Sequence, residues 1–224
     1  MKKNLIMLIL CFLAVAVKAQ STGDHIALPR TLVMPDGSVV PTQRMDSIKK
    51  VFGGRDVTIS FSEDGKAYAH PAQTKTERLE SETKLNLHLN QPAPKFAFKD
   101  MSGKLYSLDD LKGKTVVLNF WFTSCGGCIM EMPDLNKLKR NFARKNVIFL
   151  AVTYDDEVKI NKFLTKHQFD YTIIPNARKM CTDYNVYGYP TSMVIDRNGI
   201  IKYINCSIDS DIQNELTKSI NAVI

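Results

Sequence analysis

The apolar run Thr115-Val116-Val117-Leu118-Asn119-Phe120 passes through Trp121-Phe122-Thr123-Ser124 into Cys125-Gly126-Gly127-Cys128. No other stretch constrains the fold as strongly. A β-branched, apolar hexamer reads as a buried strand. After Cys125, Ile129, Met132, Leu135, Leu138 and Phe142 recur at helical spacing, which predicts a helix to about residue 145. The two cysteines therefore stand where a buried strand gives way to a helix. Two thiols so placed can exchange between dithiol and disulfide without unfolding anything. The same gap also serves structural zinc sites and ordinary buried pairs. Zinc needs two further ligands nearby, but residues 129–158 contain no Cys or His, and no His follows Cys128 as haem attachment requires. Redox chemistry is the favoured reading.

The pattern around this motif is regular from residue 91 onward. Phe96-Ala97-Phe98 and Leu105-Tyr106-Ser107-Leu108 bracket Asp100-Met101-Ser102-Gly103 as a hairpin. Beyond the motif helix, strands are predicted at residues 146–153, 171–174, 191–196 and 200–205, with helices at 156–167, 177–184 and 209–222. Strands that alternate with helices and close in a hairpin predict an α/β fold, a central mixed sheet covered on both faces.

Residues 20–90 read differently and form an N-terminal extension and linker. Two strand pairs are expected, at 31–34 with 38–40 and at 56–61 with 66–69, the second across Ser62-Glu63-Asp64-Gly65. A short helix at 41–52, stopped by Gly53-Gly54, lies between them. Residues 71–90 are polar and read as a linker. Few large apolar residues are available here for an independent core.

Ahead of this extension, Met1-Lys2-Lys3-Asn4 precedes an unbroken apolar run over residues 5–17 and then Val17-Lys18-Ala19. The run is shorter than the roughly 20 residues that span a bilayer. Residues 1–19 therefore read as a secretory signal peptide cleaved after Ala19, and the mature chain as exported, to the periplasm or an equivalent compartment. An oxidising compartment lets disulfides persist. Four cysteines remain after cleavage, and Cys181 with Cys206 read as a structural bridge or two buried free thiols. The formal charge of +7 is spread among acids with no basic run, so a solvated surface is expected and nucleic acid is not.

Cys125, at the start of a helix, is the expected attacking thiol, because free backbone N–H groups and the positive end of the helix favour a thiolate there. Cys128, one turn in, is the expected resolving thiol.

Residues 91–224 resemble the thioredoxin-like thiol-disulfide oxidoreductases of the TlpA and ResA type, related to the cytochrome c maturation reductases. The resemblance is carried by Ala93-Pro94-Lys95-Phe96, Val117-Leu118-Asn119-Phe120-Trp121, Cys125-Gly126-Gly127-Cys128, Glu131-Met132-Pro133 and Tyr184-Asn185-Val186-Tyr187-Gly188-Tyr189-Pro190-Thr191. It implies a thioredoxin-like domain over 91–224 and a Cys125/Cys128 cycle that reduces protein disulfides. It further implies that Pro190 is a cis-proline beside the cysteines, with the backbone of Tyr189 pairing to a bound peptide. Glu131 matches the acidic residue that tunes the thiols and passes a proton. Trp121 matches the aromatic before the motif and is expected to support the substrate surface, although an aromatic that ends a buried strand is more often core. Disulfide-containing protein clients and a membrane thiol-reducing electron donor are implied as partners, with no cofactor and no metal.

Three other readings compete with this one. A peroxiredoxin needs a hydroxyl residue three positions before its reactive cysteine, where this chain has Phe122. A copper chaperone on the same scaffold needs a distant His, and only His167 lies downstream. An oxidase or isomerase would use the same cysteines at a less reducing potential.

Overall fold

The computed structural model describes residues 29–61 and 66–224. The segment read as a signal peptide and the turn at 62–65 lie outside the described residues. Residues 29–84 and 85–224 form separate compact units.

In the first unit, β1 (Thr31–Val33) and β2 (Val39–Pro41) pair antiparallel across a turn where Gly37 takes φ +83°. Asp36 fixes that turn by accepting the Ser38 N–H at 2.9 Å. Helix α1 (Met45–Val51) leads to β3 (Val57–Phe61) and β4 (Ala67–Pro71), and the sheet order is β2-β1-β4-β3. Its core is small: Leu32, Met34, Ile48, Ala67 and Ala69. Three large side chains at about 1.5–3 kcal/mol each give this unit a modest hydrophobic gain.

One element differs from expectation. The stretch read as a polar linker contains helix α2 (Lys75–Asn86), and the division between units falls inside it. Thr74 and Glu77 explain the start. Glu77 N–H donates to Thr74 Oγ1 at 3.1 Å, and Thr74 N–H donates to the Glu77 carboxylate at 2.8 Å. That reciprocal cap satisfies two of the donors a helix start leaves open.

The second unit follows the predicted alternation. A hairpin of β5 (Ala97–Lys99) and β6 (Leu105–Ser107) precedes β7 (Thr115–Phe120), α3 (Gly126–Asn141), β8 (Val147–Val152) and α4 (Glu157–Leu164). Then come β9 (Thr172–Ile174), α5 (Arg178–Asp183), β10 (Thr191–Ile195), β11 (Ile201–Asn205) and α6 (Ile212–Asn221). The five-stranded sheet runs β11-β10-β7-β8-β9, with β8 parallel to β7 and β9, and β10 antiparallel to β7 and β11. Mixed pairing of this kind requires helical crossovers, which cover the faces.

Every β7 residue is buried, because the strand is central and sheathed on both sides. Its pleat divides the core. Val117 joins Leu135 and Leu138 of α3, Ile160 and Phe163 of α4, and Leu216 and Ile220 of α6 on one face. Val116, Leu118 and Phe120 join Met180 of α5, Tyr184, Phe96 and Leu111 on the other. Period-two alternation thus puts β7 between two apolar layers and fixes where its C-terminal end emerges. Asn119, the polar exception, donates from Nδ2 to Ser192 Oγ at 3.1 Å on the neighbouring β10, so its burial leaves no lost hydrogen bond on that group.

Candidate active site

The chain leaves β7 under tight control. Trp121 N–H donates to Val152 O at 3.0 Å, and Thr123 N–H donates to the buried carboxylate of Asp155 at 2.7 Å. Cys125 N–H then donates to Phe122 O at 3.1 Å, closing the turn into α3. Cys125 is the N-cap, one position earlier than the expected first turn, with φ −83° and ψ 99°. Its Sγ accepts the Cys128 N–H at 3.2 Å, the role Ser or Asp oxygens play at other helix starts. A sulfur there faces an open backbone donor and the positive end of α3. The two sulfurs are bonded at 1.96 Å.

Pro190 is cis, and an ideal Cβ placed on Gly127 would lie 3.5 Å from its Cδ, so this turn packs against the motif. The preceding Tyr189 is half-buried in an aromatic group. Its ring meets Phe122 edge-on at 5.2 Å and Tyr154 at 5.8 Å, while Phe122 stacks on Tyr154 at 5.5 Å. The Arg178 guanidinium lies over the Tyr154 ring at 4.6 Å.

Glu131 is buried in α3, one turn after Cys128, and not on a solvated helix face. Its Oε1 accepts the Asp209 N–H at 3.3 Å, and Oε2 has no hydrogen-bond partner among the described residues. Burial pushes its carboxyl up to about 8 against the opposing pull of the Asp209 N–H, and the negative charges of Asp209 and Asp134 add to the rise. A carboxyl held this way is predominantly protonated at neutral pH and titrates where thiol exchange operates.

Trp121 corrects its expected role. It is 0 % exposed, with Phe163 at 5.2 Å and Phe169 edge-on at 5.4 Å, so it packs behind the motif and does not line a substrate surface. Cys181 and Cys206 are both buried, and neither takes part in a disulfide. Burial pushes the Cys181 thiol up, partly offset by its hydrogen bond with Tyr189.

Residues 89–204 match the AhpC/TSA family. The chain belongs to the AhpC/TSA family. This chain is 35 % identical over 129 residues to the thioredoxin-like protein YneN of Bacillus subtilis, covering 56 % of this chain and 75 % of that protein. It is 36 % identical over 118 residues to the thiol-disulfide oxidoreductase ResA of Bacillus cereus, covering 52 % and 68 %. Among solved structures, one assigned as a thiol:disulfide interchange protein DsbE from Chlorobium tepidum matches with TM-score 0.56 at 28 % identity, over 60 % of this chain and 96 % of its own. The thioredoxin domain of a thiol-disulfide oxidoreductase from Bacteroides vulgatus matches with TM-score 0.54 at 26 % identity, over 59 % and 98 %. The fold is thioredoxin-like.

Sequence reasoning about this AhpC/TSA-family chain missed Asp155, Asp209 and Ile208. Asp155 had a readable signal: it lies three residues beyond the end of β8, and in α/β sheets sites gather at the carboxyl ends of strands. Asp209 and Ile208 lie on the loop after β11, far along the chain from the motif and without periodic pattern.

Proposed function

We propose that this thiol-disulfide oxidoreductase reduces disulfides of protein clients outside the cytoplasm through a Cys125/Cys128 dithiol-disulfide cycle. The observation that carries the reading is the Cys125 sulfur at the cap of α3, aimed at by the Cys128 N–H. In the reduced protein that environment favours a Cys125 thiolate. The thiolate attacks one sulfur of the client disulfide, a Cys125–client bond forms, the client S–S bond breaks, and the leaving sulfur takes a proton. Cys128 must lose its proton before it can attack in turn. The ionised Glu131 carboxyl, on the same helix and titrating near pH 8, takes that proton. Cys128 then attacks Cys125 Sγ, the Cys125–Cys128 bond forms, the Cys125–client bond breaks, and the second client sulfur leaves as a thiol with the proton held on Glu131. Two electrons pass from protein to client.

Tyr189 and Pro190 are the proposed client-backbone contacts, and the client sits beside the Phe122, Tyr154 and Tyr189 rings. Export rests on the charged start, the apolar run and Val17-Lys18-Ala19. The proposed organisation is a signal peptide over 1–19, an extension over 20–90 that biases client choice, and the catalytic domain over 91–224. Re-reduction of the disulfide calls for a dithiol donor, proposed to be a membrane protein because cytoplasmic reductants do not reach an exported chain.

The test is a pair of variants. Cys128→Ser should accumulate Cys125-linked mixed disulfides with client proteins, and Cys125→Ser should accumulate none. Equal trapping by both variants contradicts the cycle.

A further inference from the structure

One loop touches three separate parts of the thiol site. Residues 206–211 connect β11 to α6, and their Asp209 N–H holds Glu131 Oε1. Cys206 Sγ lies 2.8 Å from where a Cβ on Gly188 would stand, beside the Tyr189–Pro190 turn. The Ile208 side chain lies over Gly127: a Cβ there would meet Ile208 Cδ1 at 2.4 Å and Cγ1 at 2.6 Å. Carbon atoms do not approach so closely, so the volume that a side chain at 127 would take is occupied by Ile208. Gly126 is different, with nothing among the described residues within 4 Å of its own ideal Cβ. The contact with Ile208 belongs to the second position alone.

Ile208 is also 40 % exposed, an apolar group that faces both the cysteine motif and solvent. A client strand seated along Pro190, with its disulfide at Cys125, brings its neighbouring side chains onto this surface. We propose that Ile208 is a specificity-determining residue that supplies, from the β11–α6 loop, the side chain missing at Gly127 and selects client disulfides flanked by apolar residues. An apolar neighbour would remove the remaining Ile208 surface from water. An acidic neighbour would meet an apolar wall with the Asp209 carboxylate adjacent in the chain, and would lose hydration without gaining a partner. This inference rests on the disulfide-reductase reading.

The experiment compares two peptide disulfides of equal length, one with Leu and one with Ser beside the cysteine, as substrates of the mature protein and its variants. Ile208→Ala should reduce the Leu-to-Ser ratio of kcat/KM by about fivefold to tenfold, mainly through KM. Ile208→Leu should retain the ratio. Gly127→Ala should reduce it by a similar factor, because the new methyl displaces the end of Ile208. Residues that act as one contact are non-additive, so Gly127→Ala with Ile208→Ala should lose little beyond either change alone. A ratio that survives Ile208→Ala, or single effects that multiply in the double variant, overturns the proposal alone. A wild-type protein that reduces neither peptide overturns the reductase reading, and the proposal with it.

Discussion

Cys125 and Cys181 are buried to the same degree, 6 % and 5 % exposed, yet they sit in opposite chemical settings. Cys125 caps α3, receives a backbone N–H and is bonded to Cys128. Cys181 lies within α5, where burial pushes its thiol up, and neither it nor Cys206 takes part in a disulfide. Exposure therefore does not separate a working thiol from an inert one. What points at the sulfur does: open donors and a helix's positive end stabilise a thiolate, whereas an apolar lining stabilises the neutral thiol.

The sharpest way to break this contrast is to exchange the roles by mutation. Cys125→Ser should take reduction of a model protein disulfide down to the uncatalysed rate, and Cys181→Ala should leave a working enzyme. Comparable losses in both variants would erase the distinction. Alkylation of the reduced native protein gives the next largest difference: iodoacetamide should modify Cys125 first, and Cys181 and Cys206 only when denaturant opens the core. Mass mapping of the labelled peptides reads the order directly.

Glu131 sharpens the contrast from the proton side. In the folded protein it holds its proton to about pH 8, while its ordinary value is 4.5. The folded state therefore binds more protons between those limits, so this group's contribution is full below about pH 4.5 and is lost as pH rises through about 8. Glu131→Gln should flatten that decline by an amount on the order of a few kcal/mol between pH 5 and 8.5, read from urea midpoints. The same variant should slow turnover and lose the limb of the pH–rate profile near 8. An unchanged profile would remove Glu131 from the proton path. The smallest effect belongs to Cys181→Ala, which deletes its hydrogen bond to Tyr189 and should lower stability by about 1 kcal/mol, measured by the same denaturation.

Much of the second unit could be read from the chain because its signals are local. The β7 run is apolar throughout and central in the sheet, and the residues of α3 that point inward fall at helical spacing. Cys125 and Cys128 were legible for the same reason, and Glu131 lies one turn further on the same helix. Trp121 showed the limit of that reasoning. Its place at the end of a buried strand pointed to the core while the resemblance pointed to the substrate surface, and the ring's inward packing depends on Phe163 and Phe169 from distant segments. Helix α2 was missed because apolar periodicity was the criterion, and its residues are almost all polar. The Thr74 and Glu77 cap was the available signal. Ile208 and Asp209 could not be found locally at all, since only the folded sheet brings the loop after β11 to the start of α3.

Direction of electron flow is the centre of the account, and the reduction potential of the Cys125/Cys128 pair measures it. Equilibration of the mature protein against glutathione and dithiothreitol buffers should give a value near the thioredoxin figure of about −270 mV or below. A value near about −120 mV, typical of a strong disulfide oxidant, would contradict the assignment as a reductase.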